Sequence, residues 1–118
     1  MTDLTLGQKQ RLFTSLVGEL IEFAYARGYE LTFGEALRTP EQAKLNAEKG
    51  TGISTSLHIS RLAIDLNLFR DGKFLTTSDD HRELGVYWKT LHPLCRWGGD
   101  FRPKPDGNHY SITHGGFQ

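Results

Sequence analysis

Arg61-Leu62-Ala63-Ile64-Asp65-Leu66-Asn67-Leu68 alternates without a break. Leu62, Ile64, Leu66 and Leu68 hold one parity, and Arg61, Ala63, Asp65 and Asn67 the other. Successive side chains of a strand point to opposite faces. A period of two therefore predicts a strand with one apolar face and one small or polar face. Asp71-Gly72 follows, a pair suited to the positive φ angles of a tight hairpin turn, and it leads into Lys73-Phe74-Leu75.

Upstream, residues 6–27 carry a helical period. Leu12, Leu16, Leu20 and Phe23 set the stripe, and Phe13, Val17, Ile21 and Ala24 widen it. Gly28 is placed to end that helix. Tyr29, Leu31 and Phe33 alternate and predict a second strand. Thr39-Pro40-Glu41 reads as a helix start, with Thr39 as N-cap, and that helix is expected to end near Gly50. Downstream, Ser78 is placed to cap a helix over residues 79–92, with Leu84, Trp88 and Leu91 on its core side and Pro93 beyond its end. Residues 97–99 and 103–108 read as loops, and residues 110–113 as a last short strand. The expected fold class is α+β, with helices packed on a small antiparallel sheet in one domain over residues 1–118.

The bulk composition narrows the function classes. Lys plus Arg equals Asp plus Glu at 14 each, so the chain has no overall basic field for nucleic acid. Cys95 is the only cysteine, which excludes an internal disulfide and any multi-cysteine zinc site. No stretch approaches a membrane span, and the first residues lack the basic start and apolar run of a signal peptide. The expectation is a protein made in the cytoplasm that binds neither nucleic acid nor membrane and acts as a monomer.

Five histidines punctuate the chain: His58, His81, His92, His109 and His114. His58 and Asp65 are seven residues apart. On a straight strand they would be separated by about 23 Å, so a shared metal requires the chain to turn near Ser60-Arg61. Ala63 shares a strand face with Asp65 and leaves room beside it. Asp106 and His109 sit three apart across Gly107, where a turn can aim both at one point. A catalytic zinc site needs three protein ligands, an open position and a nearby base. His58, Asp65, His109 and Asp106 could supply these. Spacing alone favours the plainer readings: a surface histidine, an acid in a hydrogen-bond network and an ordinary Asp-Gly turn. His81 is expected on an exposed helix face, His92 at a helix end, and Cys95 in the core.

The ordered set of motifs is more specific than any one of them. Arg38-Thr39-Pro40-Glu41-Gln42, then Ser56-x-His58 with Ala63 and Asp65 behind it, then Trp97-Gly98-Gly99 and Asp106-x-x-His109 resemble one metallopeptidase family. It is that of the zinc D-Ala-D-Ala carboxypeptidases, VanX-type dipeptidases and phage L-alanyl-D-glutamate endopeptidases. The resemblance runs from Phe33 to about Ser111. It implies a Hedgehog/DD-peptidase-like fold and one zinc ion held by His58, Asp65 and His109. Asp106 becomes the catalytic acid/base, and Arg38 meets a substrate carboxylate or the polarised carbonyl. Ser56 and Trp97 are implied at the substrate site. The implied substrate is the peptidoglycan stem peptide, and the short chain is most similar to the phage endolysins. Such an enzyme is made in a host cytoplasm and acts on the periplasmic wall. The alternatives are a carboxypeptidase or dipeptidase with the same chemistry, and a non-catalytic wall-binding or virion domain. Two positions depart from the family pattern. Arg61 stands where glycine is usual, and Ser111 where an acid is frequent. If the turn at Arg61 needs positive φ, arginine is strained there, so either the turn has another shape or Arg61 contributes to substrate binding.

Overall fold

The computed structural model describes residues 4–35 and 61–114. The first helix, α1, spans Leu6–Ala26. The Thr5 hydroxyl accepts from the Gln8 amide, and the Gln8 side chain accepts from the Thr5 amide. This reciprocal cap satisfies N–H groups that the first helical turn leaves without partners. Phe13, Leu16, Val17, Leu20 and Ala24 form its buried stripe at the expected spacing. Gly28, at φ +86°, turns the chain into β1, Glu30–Phe33.

The alternating octapeptide becomes the centre of the sheet. β2 runs Ala63–Arg70, and Asp71 and Gly72, both at positive φ, turn it into β3, Lys73–Leu75. A 3-10 turn over Asp79–His81 leads directly into α2, Arg82–Leu91. β4 is Cys95–Trp97 and β5 is His109–Ile112. Among the described residues all pairings are antiparallel, in the order β1-β2-β5-β4, with β3 also on β2.

The two edges of β2 are used differently. β1 pairs with residues 66–69 and continues alongside Asp65 through Gly34 and Glu35. The opposite edge is shared, with β5 against residues 63–65 and β3 against residues 68–70. The two strands diverge at Leu66 and Asn67, and a cleft opens in the fork.

Both described helices cover one sheet face. Phe13 of α1 meets Trp88 of α2 edge-on at 5.8 Å between ring centroids, and Trp88 meets Tyr110 of β5 at 6.0 Å. The Trp88 indole donates to the carbonyls of Arg96 and Ser111, tying α2 to β4 and β5. Tyr110 opposes Ile64 on β2, so Leu62, Ile64, Leu66 and Leu68 share the helix-covered face. Asp65, which follows Ile64, and His109, which precedes Tyr110, lie on the other face.

The structure departs from the sequence expectations in three places. Ser78 does not cap the helix. Its neighbours Thr77 and Asp80 exchange side chain-to-backbone hydrogen bonds of 3.1 Å instead, which frees the Ser78 hydroxyl for another partner. His81 is buried, not exposed. Residues 97–99, expected as a loop, are divided between a strand over Cys95–Trp97 and a 3-10 turn over Gly98–Asp100. The helix expected after Thr39 lies outside the described residues, as do Arg38, Ser56 and His58. Among the described residues, no helix is long and apolar enough to cross a membrane.

Candidate metal centre

Asp65 and His109 are directly opposed on β2 and β5. The Leu66 amide donates to the Asn108 carbonyl at 2.9 Å, and the Ile112 amide to the Leu62 carbonyl at 3.1 Å. These bonds leave Asp65–His109 as a non-hydrogen-bonded pair, the position at which opposed side chains approach most closely. The other edge of β2 fixes Asp65 as well. Its carbonyl accepts from Gly34 and its amide donates to the Glu35 carbonyl, both at 2.8 Å.

His109 Nδ1 lies 3.6 Å from Asp65 Oδ1. That is too long for a hydrogen bond. It is close to the separation of about 3.4 Å between two ligands of a tetrahedral zinc ion held at about 2.0–2.1 Å. The His109 side chain is 8% exposed and that of Asp65 23%, so the pair is sheltered but reachable.

Asp106 joins this pair from a loop. One donor atom each from Asp65, Asp106 and His109 lies within 4.8 Å of the others. The loop is held by its backbone. The Asp106 amide donates to the Gly98 carbonyl at 2.8 Å, and the His109 amide to the Asp106 carbonyl at 3.1 Å. The Trp97 indole donates to the Gly107 carbonyl at 2.7 Å, and the Gly107 amide to the Ser78 hydroxyl at 2.9 Å. A Cβ on Gly98 would collide with the Asp106 carbonyl and the His109 Cβ, and one on Gly107 with the Ser78 backbone. Glycine at both positions lets three chain segments meet behind the carboxylate.

An imidazole nitrogen and carboxylate oxygens at this spacing fit zinc or a related divalent metal. The structure therefore brings together three of the four residues singled out from the sequence for metal binding and acid/base chemistry, and the fourth, His58, lies outside the described residues. Trp97 is only 3% exposed. It reaches the site through the Gly107 carbonyl, not through a face turned to a groove. Arg61 sits at φ +59°, so the turn before β2 does adopt the left-handed conformation that glycine favours.

The remaining candidates are placed elsewhere. His92 ends α2, and its Nδ1 accepts from the Leu94 amide. His114 lies 3.2 Å from Lys9 Nζ. Cys95 is buried, and burial pushes its thiol up to about 12, far from a reactive thiolate. His81 Nδ1 is 2.8 Å from the Tyr110 hydroxyl, and desolvation pushes the imidazole down to about 4. Sequence reading missed the brace formed by Ser78 and Trp97, because a hydroxyl at a helix start has a more obvious local use.

Comparison with known proteins bears on the family and the fold. A family model described as D-alanyl-D-alanine carboxypeptidase matches residues 49–112. No curated protein sequence matches the chain. Among solved structures, the Serratia marcescens L-Ala D-Glu endopeptidase ChiX superposes with a TM-score of 0.70 at 21% identity, covering 85% of this chain and 79% of its own. A variant of the vancomycin resistance D,D-pentapeptidase VanY from a VanB-type cassette, solved with Zn(II), superposes at 0.60 with 20% identity. It covers 85% of this chain and 70% of its own.

Proposed function

The chain belongs to the D-alanyl-D-alanine carboxypeptidase family, a family of zinc peptidases acting on peptidoglycan, and from that premise we propose that it is an endolysin-type enzyme cutting the L-alanyl-D-glutamate bond of stem peptides. The observation that carries the reading is the convergence of Asp65, Asp106 and His109 beside an open cleft. The structural likeness to an L-Ala D-Glu endopeptidase favours this bond.

Asp65 and His109 would hold the metal together with His58. Zinc, when bound, supplies a Lewis acid that makes water nucleophilic near neutral pH and polarises a carbonyl. Asp106 takes the proton from the attacking water and returns it to the leaving nitrogen. Arg38 stabilises charge on the carbonyl oxygen or receives a substrate carboxylate, and Ser56 supports the site through its hydroxyl. Trp97 and Ser78 act on the Asp106 carboxylate only through the loop that carries it. The enzyme works as a monomeric catalytic domain, delivered to the wall as a free lysis enzyme or as part of a virion.

Amine release from purified sacculi, with and without chelator, tests the reading. We expect release that chelator abolishes and zinc restores, with new amino termini at D-glutamate. Free D-alanine as the product would instead support the carboxypeptidase reading, which the family description favours. Binding to sacculi without any released amine would favour a wall-binding or virion domain.

A further inference from the structure

The cleft in the fork between β3 and β5 has a volume of about 290 Å³, near the lower end for small-molecule sites. It opens on Asp106 and so continues directly from the proposed reaction centre. Asn67, Thr76, Thr77 and Asn108 supply hydroxyl and amide groups along its walls. Asn67 donates its amide nitrogen to Thr32, which orients the side chain. The described lining contains no lysine or arginine, and Asp106 is its only carboxylate. His81 lines it as well, and the imidazole stays neutral through burial. Phe74 stands at the cleft with 56% of its surface exposed, backed by Phe69 at 5.2 Å between ring centroids. An aromatic face left open beside neutral hydrogen-bonding groups suits a ring that is apolar on its faces and polar at its rim.

These features orient a substrate. At an L-alanyl-D-glutamate bond the carboxylates lie on the glutamate side. The alanine amino group is acylated by the lactyl ether of muramic acid, so the other side is uncharged until the sugar and carries an acetamido group there. We propose that the cleft receives the muramoyl-L-alanine side of the substrate, with the N-acetylated sugar against Phe74 and its amide among Asn67, Thr76 and Asn108. This rests on the endopeptidase reading and adds to it that the enzyme recognises the glycan-proximal part of its substrate.

The test compares two substrates on the zinc-loaded enzyme: N-acetylmuramoyl-L-alanyl-D-glutamyl-lysine, and the same tripeptide with only an acetyl group on alanine. The muramoyl substrate should have kcat/KM higher by about tenfold or more, carried mainly in KM. Phe74→Ala should bring the ratio of the two toward one, and Phe74→Trp should restore it. Equal kcat/KM for both substrates on the unmodified enzyme would overturn the inference and leave the endopeptidase reading standing. So would a Phe74→Ala variant that folds normally by its melting curve but keeps the full ratio. Hydrolysis of neither substrate would overturn the endopeptidase reading and the inference with it.

Discussion

Two residues at the site, Asp106 and Arg61, have separable consequences. Asp106 is brought to the Asp65–His109 pair by a loop, whereas those two are locked on paired strands. Asp106→Ala should therefore lower kcat by about 10²–10⁴-fold while the protein still binds zinc. Metal analysis of the dialysed variant beside its turnover rate checks both halves, and loss of zinc would recast Asp106 as a ligand. Arg61 occupies a left-handed conformation that suits glycine better. Arg61→Gly should raise stability by about 1 kcal/mol, a rise in Tm of a few degrees for a domain of this size. Thermal unfolding measures the gain. A parallel fall in kcat/KM would show that the arginine serves the substrate, which is the reason to keep a strained residue there.

The elements were legible to different degrees, and the differences have physical causes. β2 and its hairpin could be read because eight alternating residues and an Asp-Gly turn repeat one message. α1 could be read because its stripe runs for several turns. β4 could not, because a three-residue strand is too short to display a period. Its place in the sheet comes from pairing with β5 and from the Trp88 bond to the Arg96 carbonyl. The site followed the same rule. His109 and Asp65 were recognisable as ligand types in an ordered set, but their cross-strand register is a tertiary fact. The Ser78–Gly107 bond spans 29 residues and leaves no local trace. Ser78→Ala removes that bond from the Gly107 amide, at a cost of about 1–3 kcal/mol if water cannot replace it. Gly98→Ala should be worse for function, since the added methyl displaces the Asp106 carbonyl or His109 itself. A drop in zinc occupancy and turnover larger than the drop in Tm is the expected signature, and an unaffected metal content would show that the loop can yield.

At the scale of the whole molecule, the helix layer and the catalytic face are joined through His81 and Tyr110. The tyrosine follows His109 on β5 and points to the opposite face, where its hydroxyl meets the imidazole. Burial raises the tyrosine pKa, so the phenol keeps its proton and can donate to a neutral Nδ1. Burial lowers that of His81 from 6.5 to about 4. Between those values the unfolded chain binds a proton at this histidine that the folded protein refuses. Unfolding is then favoured by acid, and stability falls as pH drops from about 6.5 toward 4. Above 6.5 both states are neutral there and the effect vanishes. A single group of this kind contributes on the order of 2–3 kcal/mol across its window. Urea unfolding of the zinc-free protein at intervals between pH 7 and 4 should show this loss, and removing the metal keeps its own proton linkage out of the measurement. His81→Gln, which keeps a hydrogen-bonding side chain but cannot titrate, should be less stable at pH 7 and markedly flatter in this pH range. If its slope matches that of the parent, the acid sensitivity belongs to the carboxylates and not to the buried imidazole.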